Sequence, residues 1–154
     1  MRRFASLGLG LAALTAASCL SNRATASPDG TGAPPGAFTL SRAGAPPVAL
    51  STAACVSGER QQFLGADFSD EAAGYTVRLV VDPLSGPAAR VFSNAHPFDD
   101  SAVFRRPDCR VFHFALDSTG WRVDHYEDYK ISLELDCAGD GVSLAGKAAA
   151  EHCH

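Results

Sequence analysis

The sequence predicts an all-β fold: an antiparallel sandwich of about seven or eight short strands, held together by disulfides. Short apolar runs are divided by Gly, Pro, Asp and Ser, and several of them alternate apolar with polar residues. Four cysteines without Cys-x-x-Cys spacing are spread over the same region, as in a disulfide framework. No helical pattern of useful length alternates with the strands, which argues against a parallel α/β sheet.

The N-terminal residues, 1–18, are predicted to be an export signal. Arg2 and Arg3 precede an uncharged apolar run over residues 4–17, which is too short to span a bilayer as a stable helix. The run is apolar on all faces and contains two glycines, which disfavours an amphipathic helix of the mature protein.

Two cleavage sites compete after this signal. Residues 16–19, Ala-Ala-Ser-Cys, have the small residues and the cysteine of a bacterial lipobox, in which the thiol is diacylated before cleavage. Ala24-Thr25-Ala26 before Ser27 suits the general signal peptidase instead, and that cut would give a freely secreted protein. The apolar run stops at Cys19, so we favour lipidation of Cys19 and a protein anchored to a membrane of the bacterial cell envelope, facing the periplasm or the cell surface.

Residues 19–36 are predicted to be the anchor cysteine and a flexible linker. Residues 20–36 are mostly Ser, Asn, Thr, Ala, Pro and Gly, with too few apolar side chains to offset the entropy of ordering. As a random coil, such a linker would hold a domain on the order of 20 Å from its anchor.

The ordered domain is predicted over residues 37–154. Strands are expected near residues 37–41, 48–55, 75–82, 88–93, 109–116, 121–126 and 129–137, with a last strand ending at Cys153. Turns are expected at 83–87, 117–120 and 139–141 because these segments concentrate Pro, Gly, Asp and Ser. The segment 58–74 is left open, since 59–64 suits either one helical turn or a strand.

The strand at 129–137 has the clearest pattern of the chain. One face is wholly apolar and the other is polar or charged; the apolar face has Tyr129, Ile131, Leu133, Leu135 and Cys137, and the polar face has Lys130, Ser132, Glu134 and Asp136. This alternation indicates a strand with one buried face.

The disulfide candidates are Cys55, Cys109, Cys137 and Cys153, which allow three pairings. A two-residue hairpin turn within 139–141 would carry Cys153 about ten residues, roughly 30 Å, beyond Cys137, whereas a disulfide needs Cα atoms within about 7 Å. Two pairings remain. We expect Cys55–Cys137 and Cys109–Cys153, because Cys137 lies on the buried face and Cys55 ends an early apolar run that would lie across the sandwich from it.

The layout resembles that of a known group. The Ser, Thr, Pro and Gly tether after a lipobox cysteine, the early Cys55 and the sequence at 129–137 are similar to small bacterial surface lipoproteins, among them the mycobacterial lipoprotein antigens. Gly146 and Cys153-His154 are similar to uncharacterised lipoproteins of myxobacteria. The resemblance implies a surface location and brings no catalytic residues.

Charge and motifs narrow the function classes. Loss of the signal removes two arginines and moves the formal net charge from -4 to -6, which argues against a nucleic-acid partner. The chain lacks the Gly-x-Ser-x-Gly and His-Glu-x-x-His motifs of serine hydrolases and zinc proteases. We therefore expect no catalytic residues, no cofactor and no enzymatic activity. The expected function is that of a binding or structural module. Its expected partners are a membrane, through the lipid, and an unknown protein or envelope component.

Two clusters of side chains are candidate sites. His152 and His154 flank Cys153 at i and i+2, so on an extended strand both imidazoles would point the same way and could hold Cu(II) or Zn(II). This predicts the alternative function, a soluble exported metal-binding protein; in the simpler interpretation, solvated histidines flank a disulfide. Trp121 with Asp124-His125-Tyr126 would form an aromatic-lined ligand face or an acid/base group or, more simply, an exposed hairpin.

Overall fold

The strands of this protein stack as two antiparallel five-stranded sheets, as seen in a computed structural model that describes residues 36–52, 54–99 and 101–154. The predicted antiparallel sandwich with disulfides is confirmed. The predicted signal, Cys19 and nearly all of the linker lie outside the described residues, so their assignments stay predictions. No helix within the described ranges is long and apolar enough to cross a membrane.

The described residues contain ten strands, more than the seven or eight expected. In chain order these are β1 (Gly36–Arg42), β2 (Val48–Thr52), β3 (Ala54–Ser57), β4 (Gly65–Asp70), β5 (Tyr75–Asp82), β6 (Gly86–Ser93), β7 (Ser101–Arg105), β8 (Cys109–Val123), β9 (Tyr126–Gly139) and β10 (Val142–Cys153). Sheet A has the order β2-β1-β10-β9-β8 and sheet B the order β3-β4-β5-β6-β7. Single 3-10 turns, Gly58–Gln61 and Arg106–Asp108, follow β3 and β7.

The core lies between the two sheets and follows from the period-two alternation of each strand. Sheet A contributes Phe38, Leu40, Leu50, Phe112, Ile131, Leu133, Leu135, Leu144 and Ala148, and sheet B contributes Ala66, Phe68, Val77, Leu79, Ala89, Val91 and Phe104, all of them buried. The burial of these apolar faces is the main stabilising contribution to the sandwich.

The largest local difference from the sequence prediction concerns β8. The Asp-Ser-Thr-Gly segment at 117–120, expected to turn the chain, lies inside the strand, and the turn falls at Asp124 and His125, both with positive φ. A register shift between Ser118 and Arg122 absorbs the extra residues as a bulge. The segment therefore bends an edge strand and does not end it.

The two disulfides differ from the expected pairing. Cys55 bonds to Cys153 and Cys109 to Cys137, so the prediction of Cys55–Cys137 and Cys109–Cys153 was wrong. The reason is the long β8–β9 hairpin, which places Cys109 directly opposite Cys137 within one sheet. The exclusion of Cys137–Cys153 was right, because Cys137 pairs with Leu144 and β10 continues away from it.

The bond between Cys55 and Cys153 links sheet B to sheet A, from β3 to β10, and Cys153 is fully buried. We expect Cys55→Ala/Cys153→Ala to lower the free energy of unfolding by about 2–5 kcal/mol. The loss should exceed that of Cys109→Ala/Cys137→Ala by about 1 kcal/mol, because the bonded residues lie 98 positions apart in the first pair and 28 in the second.

Urea denaturation of the two double variants measures this difference, and non-reducing peptide mapping of the parent protein checks the pairing itself. A greater loss from removal of Cys109–Cys137 would contradict the ranking by loop length.

Candidate functional site

The two predicted ligand histidines, His152 and His154, meet the carboxylate of Asp128 on the outer face of sheet A. His152 Nδ1 lies 2.7 Å from Asp128 Oδ2, and His154 Nδ1 lies 3.5 Å from Oδ1. Thr119 Oγ1 donates a second hydrogen bond to Oδ2, at 2.9 Å. We call these four residues the His–Asp cluster.

Irregular pairing on both sides of β9 brings the cluster together. In β10 the register shifts between Ala150 and Cys153, and in β8 it shifts between Ser118 and Arg122. On β9, Asp128 lies opposite the shift in β8, and the shift in β10 begins at its chain neighbour Tyr129. Such bulges redirect side chains and are common beside functional sites; here Thr119 and His152, which lie within the two shifts, contact one carboxylate from both neighbouring strands.

Asp128 is buried although it belongs to the outer face of a sheet. Its side chain is 3% exposed, whereas those of His152 and His154 are 58% and 46% exposed. Burial raises the pKa of Asp128, but the hydrogen bonds from His152 and Thr119 outweigh burial and keep that pKa below its usual value. The carboxylate is therefore ionised, and its Oδ1 is buried without a hydrogen-bond donor.

The same stretch of β9 is fixed on its other side by Glu59, in the 3-10 turn after β3. Glu59 Oε2 accepts a hydrogen bond from the backbone N–H of Glu127, and Oε1 accepts one from the Tyr129 hydroxyl, both at 2.9 Å. These bonds lower the pKa of Glu59. Burial, followed by the Glu59 hydrogen bond, raises the pKa of Tyr129 to about 12. Asp128, between Glu127 and Tyr129, is thus held in a segment with fixed neighbours.

The Glu59–Tyr129 bond predicts how stability depends on alkaline pH. The unfolded chain loses the Tyr129 proton near its ordinary pKa of 10.0, whereas the folded chain keeps it until about 12. The contribution of Tyr129 to stability is therefore fully present below pH 10 and declines as the pH rises from 10 to 12. Tyr129→Phe should remove this decline, measured by urea denaturation across that range, and should remove the tyrosinate absorbance that appears near pH 12.

Tyr75→Phe is the matched control, because Tyr75 lies in β5 and its substitution leaves the Glu59–Tyr129 bond intact. An alkaline decline that persists unchanged in Tyr129→Phe would contradict this assignment.

Asp128 was not identified from the sequence, which offered no third group at a recognisable spacing. Its partners lie 9, 24 and 26 positions away, and their approach depends on the two bulges. The one signal in the sequence was a charged residue directly before the strand with the clearest alternation, at 129–137. Many exposed strand ends have a charged residue in the same place.

The second candidate, around Trp121, is an exposed hairpin in the structure. Trp121 is 74% exposed near the tip of β8 and β9. Asp124 pairs with Arg60 at 3.6 Å, and the Arg60 guanidinium lies 4.9 Å from the centre of the Tyr126 ring. These contacts fasten the hairpin to the turn after β3, and they support the simpler of the two interpretations.

A buried ion pair on the outer face of sheet B is structural. Arg78 contacts both carboxylate oxygens of Asp67 at 2.7 Å, and Gln61 donates to Asp67 as well. The Arg78 guanidinium also lies over the rings of Phe63 and Phe92, at 4.6 and 5.2 Å. The opposite charges are paired through two hydrogen bonds, and aromatic rings cover the guanidinium, so the pair joins and covers this part of the outer face of sheet B.

A shallow groove of about 970 Å³ runs over the outer face of sheet A. Its floor has small side chains aligned across three strands, Ala115, Ser132 and Ala149. A row of long polar side chains borders the floor on one side, formed by His113, Glu134 and Lys147. The alternation of small and long side chains explains the depression.

Within the described ranges, no group of three or more His, Cys, Asp or Glu side chains is arranged to hold a metal ion. In the His–Asp cluster the carboxylate contacts the Nδ1 atoms directly. Comparisons of this chain with protein-family models, curated proteins and solved structures found no match.

Proposed function

We propose that this chain is a lipid-anchored bacterial envelope protein without enzymatic activity, whose β-sandwich serves as a binding or structural module. The observation that carries the proposal is the use of the cysteines. The chain has five, and two disulfides consume the four that lie in the described ranges. Cys19 remains for a different use, at the point where the apolar run of the signal stops.

The disulfides also support the compartment. Such bonds persist in oxidising environments such as the periplasm and the cell surface, and are rare in the cytosol. A diacylglycerol on Cys19, with a further acyl chain such as palmitate on its amine, would supply the two or more chains that stable anchoring requires.

The clusters of charged side chains support a non-enzymatic role. Glu59 and Asp67 are occupied by hydrogen bonds and ion pairs that join secondary-structure elements. Outer-sheet surfaces such as the groove are the surfaces that the module would offer to an envelope partner.

The N-terminus of the mature protein tests the anchor. The full chain, expressed in a bacterium that processes lipoproteins, should yield a protein that begins at Cys19, carries the mass of its acyl chains and partitions into detergent. Cys19→Ser should abolish acylation and membrane retention.

Ala26→Leu is the matched control, because it blocks the competing cut before Ser27 and leaves Cys19 unchanged. It should have no effect on anchoring. A mature chain that begins at Ser27 and becomes unprocessed in Ala26→Leu would overturn the proposal and favour free secretion.

The second candidate function is a soluble exported metal-binding protein that uses His152 and His154. One observation favours it, namely that both imidazoles face the carboxylate of Asp128 through Nδ1.

A further inference from the structure

We propose that His152 and His154 form a two-imidazole site for a divalent transition metal, Cu(II) ahead of Zn(II), with Asp128 as the carboxylate that orients both rings. This inference rests on the second candidate function and deepens it by naming the metal and the role of Asp128; it is independent of the anchored module and of where the signal is cut.

The first step is the orientation of the rings. His152 Nδ1 lies at hydrogen-bond distance from one oxygen of Asp128, and His154 Nδ1 approaches the other oxygen. A carboxylate oxygen accepts hydrogen bonds, so the 2.7 Å contact favours the His152 tautomer in which Nδ1 carries the proton, and Oδ1, which has no hydrogen-bond donor, favours the same tautomer of His154. In that tautomer the Nε2 atom of each ring has a free lone pair, and through it the atom can bind a metal.

The second step is the role of the carboxylate. Histidines that ligate a metal usually donate their other ring N–H to a carboxylate or a carbonyl, which fixes the ring and makes it a stronger ligand. Asp128 is placed for this role toward two histidines at once. It need not contact the metal, which is consistent with the absence of a three-ligand cage in the described ranges.

The third step is rigidity. Cys153 lies between the two histidines, is fully buried and is bonded to Cys55 in the opposite sheet. Asp128 is held by Thr119, and its chain neighbours are held by Glu59. Each histidine is therefore the chain neighbour of a fixed residue and faces a fixed carboxylate, while about half of each side chain stays exposed to an incoming ion.

The fourth step is the choice of metal. Imidazole nitrogens are suitable ligands for Cu(II) and Zn(II). Among the divalent first-row transition metals, Cu(II) has the highest affinity for a given nitrogen site. The cysteines of the described ranges are in disulfides and offer no thiolate that would favour other ions. Two protein ligands leave coordination positions for water or an external ligand.

The competing explanation is that the two histidines only shield a buried carboxylate and contribute a hydrogen bond to it. Both explanations require the same contacts without a metal, and they differ in whether the protein binds copper at these residues.

The experiment is a Cu(II) titration of the exported, disulfide-bonded protein, purified without a histidine tag and followed by calorimetry and electron paramagnetic resonance. We expect one Cu(II) per chain, with nitrogen couplings from two imidazoles. His152→Ala and His154→Ala should each weaken binding more than about tenfold, and Asp128→Asn by about 10–100-fold. Zn(II) should bind at the same residues more weakly.

His113→Ala is the matched control, since His113 lies on the outer face of the same sheet in β8, away from the cluster, and should leave Cu(II) binding unchanged. Urea denaturation without metal checks that each variant is folded. If Asp128→Asn does not fold, Thr119→Val replaces it, because it removes one of the bonds that position the carboxylate. Equal Cu(II) binding by the parent and by His152→Ala/His154→Ala, or no binding by the folded parent, would overturn the proposal, whichever N-terminus the mature chain has.

Discussion

The bond between Cys55 and Cys153 is the constraint on which the C-terminal part of the structure depends. It fixes the end of β10, where Cys153 is directed into the core. Because side chains alternate along a strand, the residues on either side, His152 and His154, are directed outward. The inward cysteine thus holds two outward imidazoles in place, and the same three residues serve the core and the candidate site.

A buried carboxylate on a sheet surface requires compensation, because removal of an ionised group from water is costly unless it is hydrogen-bonded and paired. Asp128 receives this from the Thr119 hydroxyl on β8 and from the His152 imidazole on β10. On the opposite side of β9, Glu59 binds the two neighbouring residues. The strand is therefore fixed from both faces at this point, and the carboxylate of Asp128 joins side chains of the two neighbouring strands, in addition to the Cys109–Cys137 bond and the ion pair between Lys130 and Glu151.

Local pattern was enough to predict the fold class, the strands with clear alternation and the hairpin turn at 139–141. It was not enough for the β8–β9 hairpin. A turn at 117–120 would have placed Cys109 opposite Asp128, whereas the true turn at Asp124 and His125 places it opposite Cys137. With the turn expected at 117–120, no pattern indicated that Cys109 and Cys137 face each other, and the expected pairing rested on the buried face of Cys137 and the position of Cys55. Asp128 was out of reach for a related reason, since a bulge changes register without a sequence signal as strong as Asn-Gly or Asp-Gly.

The placement of Cys153 between the histidines also affects how the protein would respond to proteolysis. A protease that cuts β10 before His152 would break the backbone, yet residues 152–154 would stay covalently attached through Cys55. Core contacts of Cys153 would keep the fragment seated, and both imidazoles with it. A nicked chain would therefore retain its histidines, and release of the fragment would require reduction of the disulfide as well as cleavage of the backbone.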